Sequence, residues 1–179
     1  MPRLFVAIEV PEPIRRAVAA LEQGLAGARW LPASQLHLTL CFIGEVDTAQ
    51  GAAIESGLPE GISAPFTCRL TGIGCFPSPA RPRVLHVRVE SGPGLYRLRT
   101  ALVARLGELG QEVKPDRFTP HLTLARFRNG QPEAVRDYLS RQASFRQPPF
   151  TVNAYHLYAS RLTPQGAIHT RLRSYRLTA

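Results

Sequence analysis

The chain has 179 residues, of which 44% are hydrophobic, and a formal net charge of +9. This length suits one domain or two closely packed lobes, and the hydrophobic content excludes a disordered chain. No apolar run approaches the roughly 20 residues that span a bilayer. The apolar run over residues 4–10 is short and contains Glu9, which argues against a signal peptide. We therefore expect a protein of the cytoplasm.

The first part of the chain predicts a strand, a helix and a second strand. Residues 3–9 are mostly apolar and predict a strand. Early prolines and an apolar stripe at helical spacing predict a helix over residues 11–25. After a linker that contains Trp30, residues 36–43 alternate between apolar and polar and predict the second strand.

A short helix and a long strand are predicted next, over residues 47–56, with Asp47 as the N-cap, and over residues 66–76. The proline-rich turn over residues 77–82 is the predicted seam between two halves, 1–80 and 81–179. Further strands and helices follow in the second half, over residues 83–90 (strand), 94–109 (helix), 121–124 (strand), 132–142 (helix), 150–161 (strand) and 167–177 (strand).

One four-residue motif occurs twice. His37-Leu38-Thr39-Leu40 returns 84 residues later as His121-Leu122-Thr123-Leu124. In a strand, the leucines of each copy would face the core, and the histidine and threonine would share the other face. Two such strands could line one cleft with two proton-transfer groups and two hydroxyl donors, which suits acid–base chemistry on a phosphate.

The segments around the motif repeat as well. Phe66-Thr67 and Phe150-Thr151 are also 84 residues apart, and a predicted strand and helix precede each motif. This shared spacing favours a duplicated unit with a pseudo-two-fold axis. Such an axis would bring the two histidine strands together at the centre of the molecule.

Charge and cysteine content bear on the partners of the protein, its compartment and its metal sites. Residues 1–80 carry five arginines and seven acidic residues, whereas residues 81–179 carry 17 basic and six acidic residues. A basic second half attracts polyanions such as nucleic acid. The three cysteines form no CxxC pair, which fits a reducing compartment. No metal-ligand spacing appears, although zinc bridging His37 and His121 with two further ligands is an alternative.

The repeated motif and its flanks resemble the two-histidine (2H) phosphoesterase superfamily. Within it, the most similar group is the RNA 2′,3′-cyclic phosphodiesterases of bacteria and archaea, formerly called 2′-5′ RNA ligases. The resemblance rests on residues 120–126, on residues 37–40 followed by Phe42 and Gly44, and on the two ends of the chain, residues 3–8 and 157–160 with Gly166 in a turn.

This resemblance implies an α+β fold of one bilobal domain over residues 1–179. Two antiparallel sheets would be related by pseudo-two-fold symmetry around a central cleft, with the helices outside. The implied activity is hydrolysis of RNA 2′,3′-cyclic phosphate ends to 2′-phosphate ends, with no metal or other cofactor. The implied site residues are His37 as proton donor, His121 as proton acceptor, Thr39 and Thr123 as phosphate donors, and Arg126 and Phe42 beside the nucleotide. We expect a monomer whose partner is an RNA end.

Several positions depart from the pattern of that family. Cys41 stands where lysine is common, His86 where tryptophan is common, and His169 near where tyrosine often follows the turn. We interpret His86 and His169, like His156, as structural or rim residues.

Phe42 and Arg126 each lie five residues after a motif histidine, so an ideal strand sends them to the opposite face. Either a bulge or strong twist re-aims them, or they act from the rim. A surface charge is a further alternative for Arg126, and a core position is a further alternative for Phe42. Alternative functions are action on small cyclic nucleotides or ADP-ribose cyclic phosphate, 2′-5′ RNA ligation, and a non-catalytic RNA-end-binding module.

Overall fold

The computed structural model describes residues 2–114, 117–164 and 166–179. Within these ranges the chain combines an antiparallel sheet with four α-helices, which confirms the predicted α+β class. The strands are β1 (Arg3–Glu9), β2 (Ala28–Trp30), β3 (His37–Glu45), β4 (Phe66–Ser78), β5 (Arg81–Ser91), β6 (His121–Phe127), β7 (Phe150–Val152), β8 (Ala154–Thr163) and β9 (Gly166–Arg176). The helices are α1 (Glu12–Ala19), α2 (Thr48–Gly57), α3 (Pro93–Glu108) and α4 (Pro132–Arg141).

The strands form one sheet in the order β7-β4-β5-β6-β3-β1-β8-β9, with β2 paired to β6. The two motif strands lie side by side at its centre, where Leu38 of β3 pairs with Leu122 of β6. Outward from the centre, one side continues as β1, β8 and β9 and the other as β5, β4 and β7. This correspondence between the two sides supports the proposal of a duplicated unit.

Each side of the sheet takes strands from both halves of the sequence. Strand β4 belongs to residues 1–80 but pairs with β5, whereas β8 and β9 belong to residues 81–179 but continue the side that begins with β1. The turn predicted as a seam therefore joins the hairpin β4–β5 within one side. The sheet would have to be cut across both sides to separate the halves, so they are not separate bodies in space.

The core lies between the sheet and the helices. In α3 the predicted leucine stripe is buried, since Leu95, Leu98, Leu102 and Leu106 are each 0% exposed. The guanidinium of Arg99 donates from Nε to the carbonyl oxygen of Leu40 at 3.0 Å, which ties α3 to β3. Helix α2 begins at the predicted N-cap, because the Asp47 carboxylate accepts from the backbone N–H of Gln50 at 2.8 Å. None of the described helices is long and apolar enough to cross a membrane.

Several predicted elements differ from the structure. Helix α1 ends at Ala19, before the predicted residue 25, although Leu21 and Leu25 are buried as expected of the stripe. Trp30 lies in the short strand β2 and pairs with Ala125, so it is not in a linker. The strand predicted over residues 150–161 is divided at Asn153, because β7 pairs with β4 on one side of the sheet and β8 pairs with β1 on the other.

Candidate active site

A cleft of about 620 Å³ crosses the centre of the sheet, within the size range of small-molecule sites. All four polar residues of the repeated motif line it: His37, Thr39, His121 and Thr123. The alternation predicted from the sequence is confirmed, because the leucines of both copies are at most 2% exposed and lie in the core. The two motif strands thus present their histidines and threonines to one common space.

The Leu38–Leu122 pair fixes how the motif residues meet. In this antiparallel register, residue 37 comes nearest to residue 123 and residue 39 nearest to residue 121. Each histidine is therefore beside the threonine of the other strand. Neither threonine hydroxyl is bonded to another described residue, so both can donate to a ligand in the cleft.

The two motif imidazoles are held in the same way. His37 Nδ1 lies 2.7 Å from the carbonyl oxygen of Gln35, and His121 Nδ1 lies 2.7 Å from the carbonyl oxygen of Thr119. Because a carbonyl oxygen can only accept, each Nδ1 carries the proton and donates. In a neutral ring, Nε2 is then the unprotonated nitrogen, which is the atom that can accept a proton from a reactant.

A β-bulge follows each histidine at the same position of the repeat. Val6 pairs with Cys41 and Ala7 with Thr39, so Leu40 is an extra residue in β3. Leu85 pairs with Ala125 and His86 with Thr123, so Leu124 is the extra residue in β6. In each copy two consecutive residues therefore face the core, and Cys41 is buried for this reason.

Each bulge reverses the alternation for the residues directly after it. Phe42 and Arg126 consequently point to the cleft, which both of them line. The bulge alternative of the sequence analysis is thereby confirmed. The core alternative for Phe42 is wrong, because its side chain is 67% exposed.

Aromatic rings surround His37. The centroid of its imidazole lies 5.0 Å from that of the Phe5 ring. Phe5 in turn stacks on Tyr158, with their centroids 5.1 Å apart. The rings of His169 and His37 are T-shaped, with their centroids 5.2 Å apart and their planes at 89°. His169 therefore belongs to the wall of the site and touches the motif histidine.

His121 has a comparable arrangement on the other side of the sheet. Its imidazole lies 5.0 Å from Phe76 and 5.3 Å from His86. His86 is 4% exposed and stacks on Phe76 with their centroids 4.0 Å apart. His86 Nδ1 is buried and has no hydrogen-bond partner among the described residues.

Burial shifts the acid–base behaviour of these rings. Burial, followed by the charge of His169, lowers the pKa of His37 to about 4. Burial, followed by the charge of His121, lowers the pKa of His86 to about 4. Burial and the charge of Arg126 also lower the pKa of His169. His37 and His86 are therefore neutral at pH 7 in the ligand-free protein.

All six predicted site residues line the cleft, and their roles stay predictions. Sequence reasoning missed the supporting rings Phe5, Phe76 and Tyr158, and it treated His86 and His169 as structural or rim residues. The departures at His86 and His169 from the family pattern were the available signal. His156 lines neither described cavity, and its Nδ1 lies 2.9 Å from Ser174 Oγ.

The described residues contain no group of three or more histidine, cysteine, aspartate or glutamate side chains placed to hold a metal ion. The further ligands that a zinc bridge between His37 and His121 would need are therefore not found in the described part of the chain.

Comparison with known proteins shows similarity to one family. The model of the "2'-5' RNA ligase superfamily" matches residues 10–163. A protein of Archaeoglobus fulgidus named RNA 2′,3′-cyclic phosphodiesterase is 35% identical over 97% of this chain and 99% of its own length. A Thermus thermophilus protein of the same name is 33% identical over 98% of this chain and 90% of its own length.

Two solved structures have a similar fold. The Thermus thermophilus protein TT0787 superposes with a TM-score of 0.78 at 30% identity, covering 98% of this chain and 97% of that one. LigT of E. coli complexed with 3′-AMP superposes with a TM-score of 0.73 at 26% identity, covering 100% of both chains.

Proposed function

Because the chain belongs to the 2′-5′ RNA ligase superfamily, we propose that it hydrolyses 2′,3′-cyclic phosphate ends of RNA to 2′-phosphate ends. The observation that carries the proposal is the matched pair of imidazoles, each with Nδ1 bound to a backbone carbonyl, on one cleft. Several relatives bear the name RNA 2′,3′-cyclic phosphodiesterase, which supports the same activity here. We expect the protein to act as a monomer in the cytoplasm.

The reaction needs one proton acceptor and one proton donor. The unprotonated Nε2 of one imidazole accepts a proton from water as the water oxygen forms a bond to phosphorus. The bond from phosphorus to the ribose O3′ breaks, and the other imidazole, in its protonated form, gives O3′ a proton. The charge on the phosphoryl oxygens is met by the hydroxyls of Thr39 and Thr123 and by the Arg126 guanidinium, all on the same cleft. No metal takes part in this mechanism.

The family resemblance implies that His37 is the donor and His121 the acceptor. A donor must be protonated before it acts, but burial keeps the pKa of His37 at about 4 in the free protein. A bound cyclic phosphate brings a negative charge beside the ring, and a nearby opposite charge favours the protonated form. We propose that His37 takes up its proton when the substrate binds.

The experiment compares His37→Gln and His121→Gln with the wild type on an RNA oligonucleotide that ends in a 2′,3′-cyclic phosphate. We expect each variant to lose about 100-fold or more in kcat, because each removes one proton-transfer group. The control is His156→Gln, a histidine outside the cleft, which should retain activity. Excess EDTA should leave the wild-type rate unchanged.

Several outcomes would contradict the proposal. Full turnover by either glutamine variant would exclude the paired-histidine mechanism. Binding of the oligonucleotide without turnover by the wild type would support a non-catalytic RNA-end-binding module. Turnover of small cyclic nucleotides in preference to RNA would indicate the alternative phosphodiesterase, and formation of 2′-5′ linkages from two RNA ends would indicate ligation.

A further inference from the structure

A second, smaller cavity of about 220 Å³ lies against the catalytic cleft. The two cavities share His37 and His169, so these rings form part of a common wall. The other walls carry charged and polar groups from four separate elements: Glu9 of β1, Arg15 of α1, Tyr158 of β8 and Arg171 of β9. Charged and polar groups from distant parts of the chain therefore meet beside a motif histidine.

The charges in this cavity do not cancel. Arg171 donates to Glu9 Oε1 at 3.1 Å, and the Tyr158 hydroxyl donates to the same oxygen at 2.7 Å. The Arg15 side chain is half-buried, and its guanidinium donates no hydrogen bond to another described residue. Among the described lining residues, two arginines face one carboxylate, so the cavity has a net positive charge and a guanidinium whose donors are unused.

Glu9 is ionised and therefore serves to hold Arg171. Burial alone would raise the pKa of Glu9, but the hydrogen bond from Tyr158 and the nearby cationic groups lower it below its usual value. The carboxylate oxygen that faces Arg171 already accepts two hydrogen bonds, so it offers little to a further donor. The group that best matches the remaining donors is an anion with several acceptor oxygens, because guanidinium groups bind such anions with two parallel hydrogen bonds.

We propose that this cavity is a second anion subsite, in which Arg15 and Arg171 bind the phosphodiester group that precedes the terminal nucleotide of the RNA. The inference rests on the proposed function, and it adds a second contact to the RNA beyond its cyclic phosphate. The shared wall at His37 places the subsite beside the position of the cyclic phosphate. The larger cleft, with the exposed ring of Phe42, is left for the terminal nucleoside.

The test compares three substrates, two of which differ only in the charge of one linkage. One is a nucleoside 2′,3′-cyclic phosphate, and another is a dinucleotide with the same terminal nucleoside cyclic phosphate. A third substrate replaces the internucleotide phosphodiester of the dinucleotide by a methylphosphonate, which is uncharged. We expect the wild type to prefer the phosphodiester dinucleotide to the other two by roughly tenfold in kcat/KM, because hydrogen bonds to charged groups have this magnitude.

The variant is Arg15→Gln, and its matched control is the neighbouring Arg16→Gln, because Arg16 is exposed and pairs with Glu12 instead of lining the cavity. Arg15→Gln is preferable to Arg171→Gln because Arg171 also holds Glu9. Arg15→Gln should reduce the preference for the phosphodiester dinucleotide over its methylphosphonate analogue to about twofold or less. Arg16→Gln should keep the wild-type preference.

The outcomes separate the two proposals. Equal losses by Arg15→Gln on all three substrates would overturn the subsite, and so would a wild type that does not distinguish the phosphodiester from the methylphosphonate. Either result leaves the proposed hydrolysis intact. Failure of the wild type to hydrolyse any of the three substrates would instead overturn the proposed function, and the subsite with it.

Discussion

Leu38 pairs with Leu122 where the two sides of the sheet meet. Both side chains are buried, at 1% and 0% exposure, on the face opposite the cleft. Their pairing sets the register that brings each motif histidine beside the threonine of the other strand. The geometry proposed for catalysis therefore depends on two leucines that touch no substrate.

Shortening one of these leucines should destabilise the fold. Leu122→Ala removes a fully buried side chain, and we expect the free energy of unfolding to fall by about 2–5 kcal/mol. Urea denaturation followed by circular dichroism measures this change. The control is Leu172→Ala on β9, whose side chain is 41% exposed, and which should change the stability by less than about 0.5 kcal/mol. Equal effects of the two substitutions would contradict the central role of the Leu38–Leu122 pair.

The exposed ring of Phe42 should contribute to substrate binding and little to stability. Phe42→Ala should lower kcat/KM for the cyclic-phosphate substrate by about fivefold or more, because stacking of a base on an aromatic ring is worth roughly 1–3 kcal/mol. The midpoint of urea unfolding should stay nearly constant, since the ring is 67% exposed. Tyr96→Ala, which removes another exposed aromatic ring that lines neither cavity, is the control. A loss of stability without a loss of kcat/KM would indicate a structural role.

The local pattern of the sequence was sufficient to predict the motif strands and their orientation. The alternation of leucine with histidine and threonine defines the buried face of β3 and β6, and the leucine stripe defines the buried face of α3. These features depend on neighbours in the chain, so periodicity reveals them. Strand β2 was missed because three residues are too few to show a period.

The bulges and the rings around the two motif histidines depend on which strands pair. The periodicity of the sequence does not reveal that pairing. Leu40 and Leu124 become extra residues only because β1 and β5 pair with the motif strands in shifted register. His169 lies beside His37 because β9, β8, β1 and β3 follow one another in the sheet. The sequence could therefore indicate the two motif histidines and could not predict which rings surround them.

The stability of the protein should fall as the pH falls from 6.5 to 4. The pKa of His37 and that of His86 are each about 4 in the fold, against about 6.5 in the unfolded chain. Between these values the unfolded chain binds more protons, so acid favours unfolding, whereas above pH 6.5 this contribution is constant. His86→Phe keeps a ring against Phe76 and removes one titrating group. Between pH 7.5 and pH 5, the free energy of unfolding in urea should fall less for His86→Phe than for the wild type, by on the order of 1–2 kcal/mol. If both proteins lose the same free energy of unfolding between these pH values, the pKa of His86 is not lowered in the fold.

A sulfur leaving group should identify which histidine donates the proton. In a substrate with 3′-sulfur in place of O3′, the departing thiolate is far less basic than an alkoxide and needs no proton. The variant that lacks the donor should therefore recover most of its lost rate on the sulfur substrate, and the variant that lacks the acceptor should not. We expect His37→Gln to be rescued by about 10-fold or more, in keeping with the size of general acid catalysis. For each variant, the ratio of its rate on the sulfur substrate to its rate on the oxygen substrate measures the rescue. Rescue of His121→Gln alone would reverse the assignment.

The absence of a side chain at Gly74 should be required for the position of His86 beside His121. A Cβ atom at residue 74 would lie 2.6 Å from Cε1 and 2.8 Å from Nε2 of His86, closer than real contacts allow. Gly74→Ala should therefore push the His86 ring against Phe76 and His121, and lower kcat more than it raises KM. Gly107→Ala, at a helical glycine with open space around its Cβ position, is the control and should keep full activity.

A double variant distinguishes a steric effect on His86 from a general loss of stability. If the added methyl group acts through the His86 ring, Gly74→Ala should cost little in a His86→Ala background, where the ring is absent. Steady-state kinetics of the two single variants and the double variant give this coupling. Additive losses in kcat would mean that Gly74 affects the site by another route, and that the packing of His86 does not position His121.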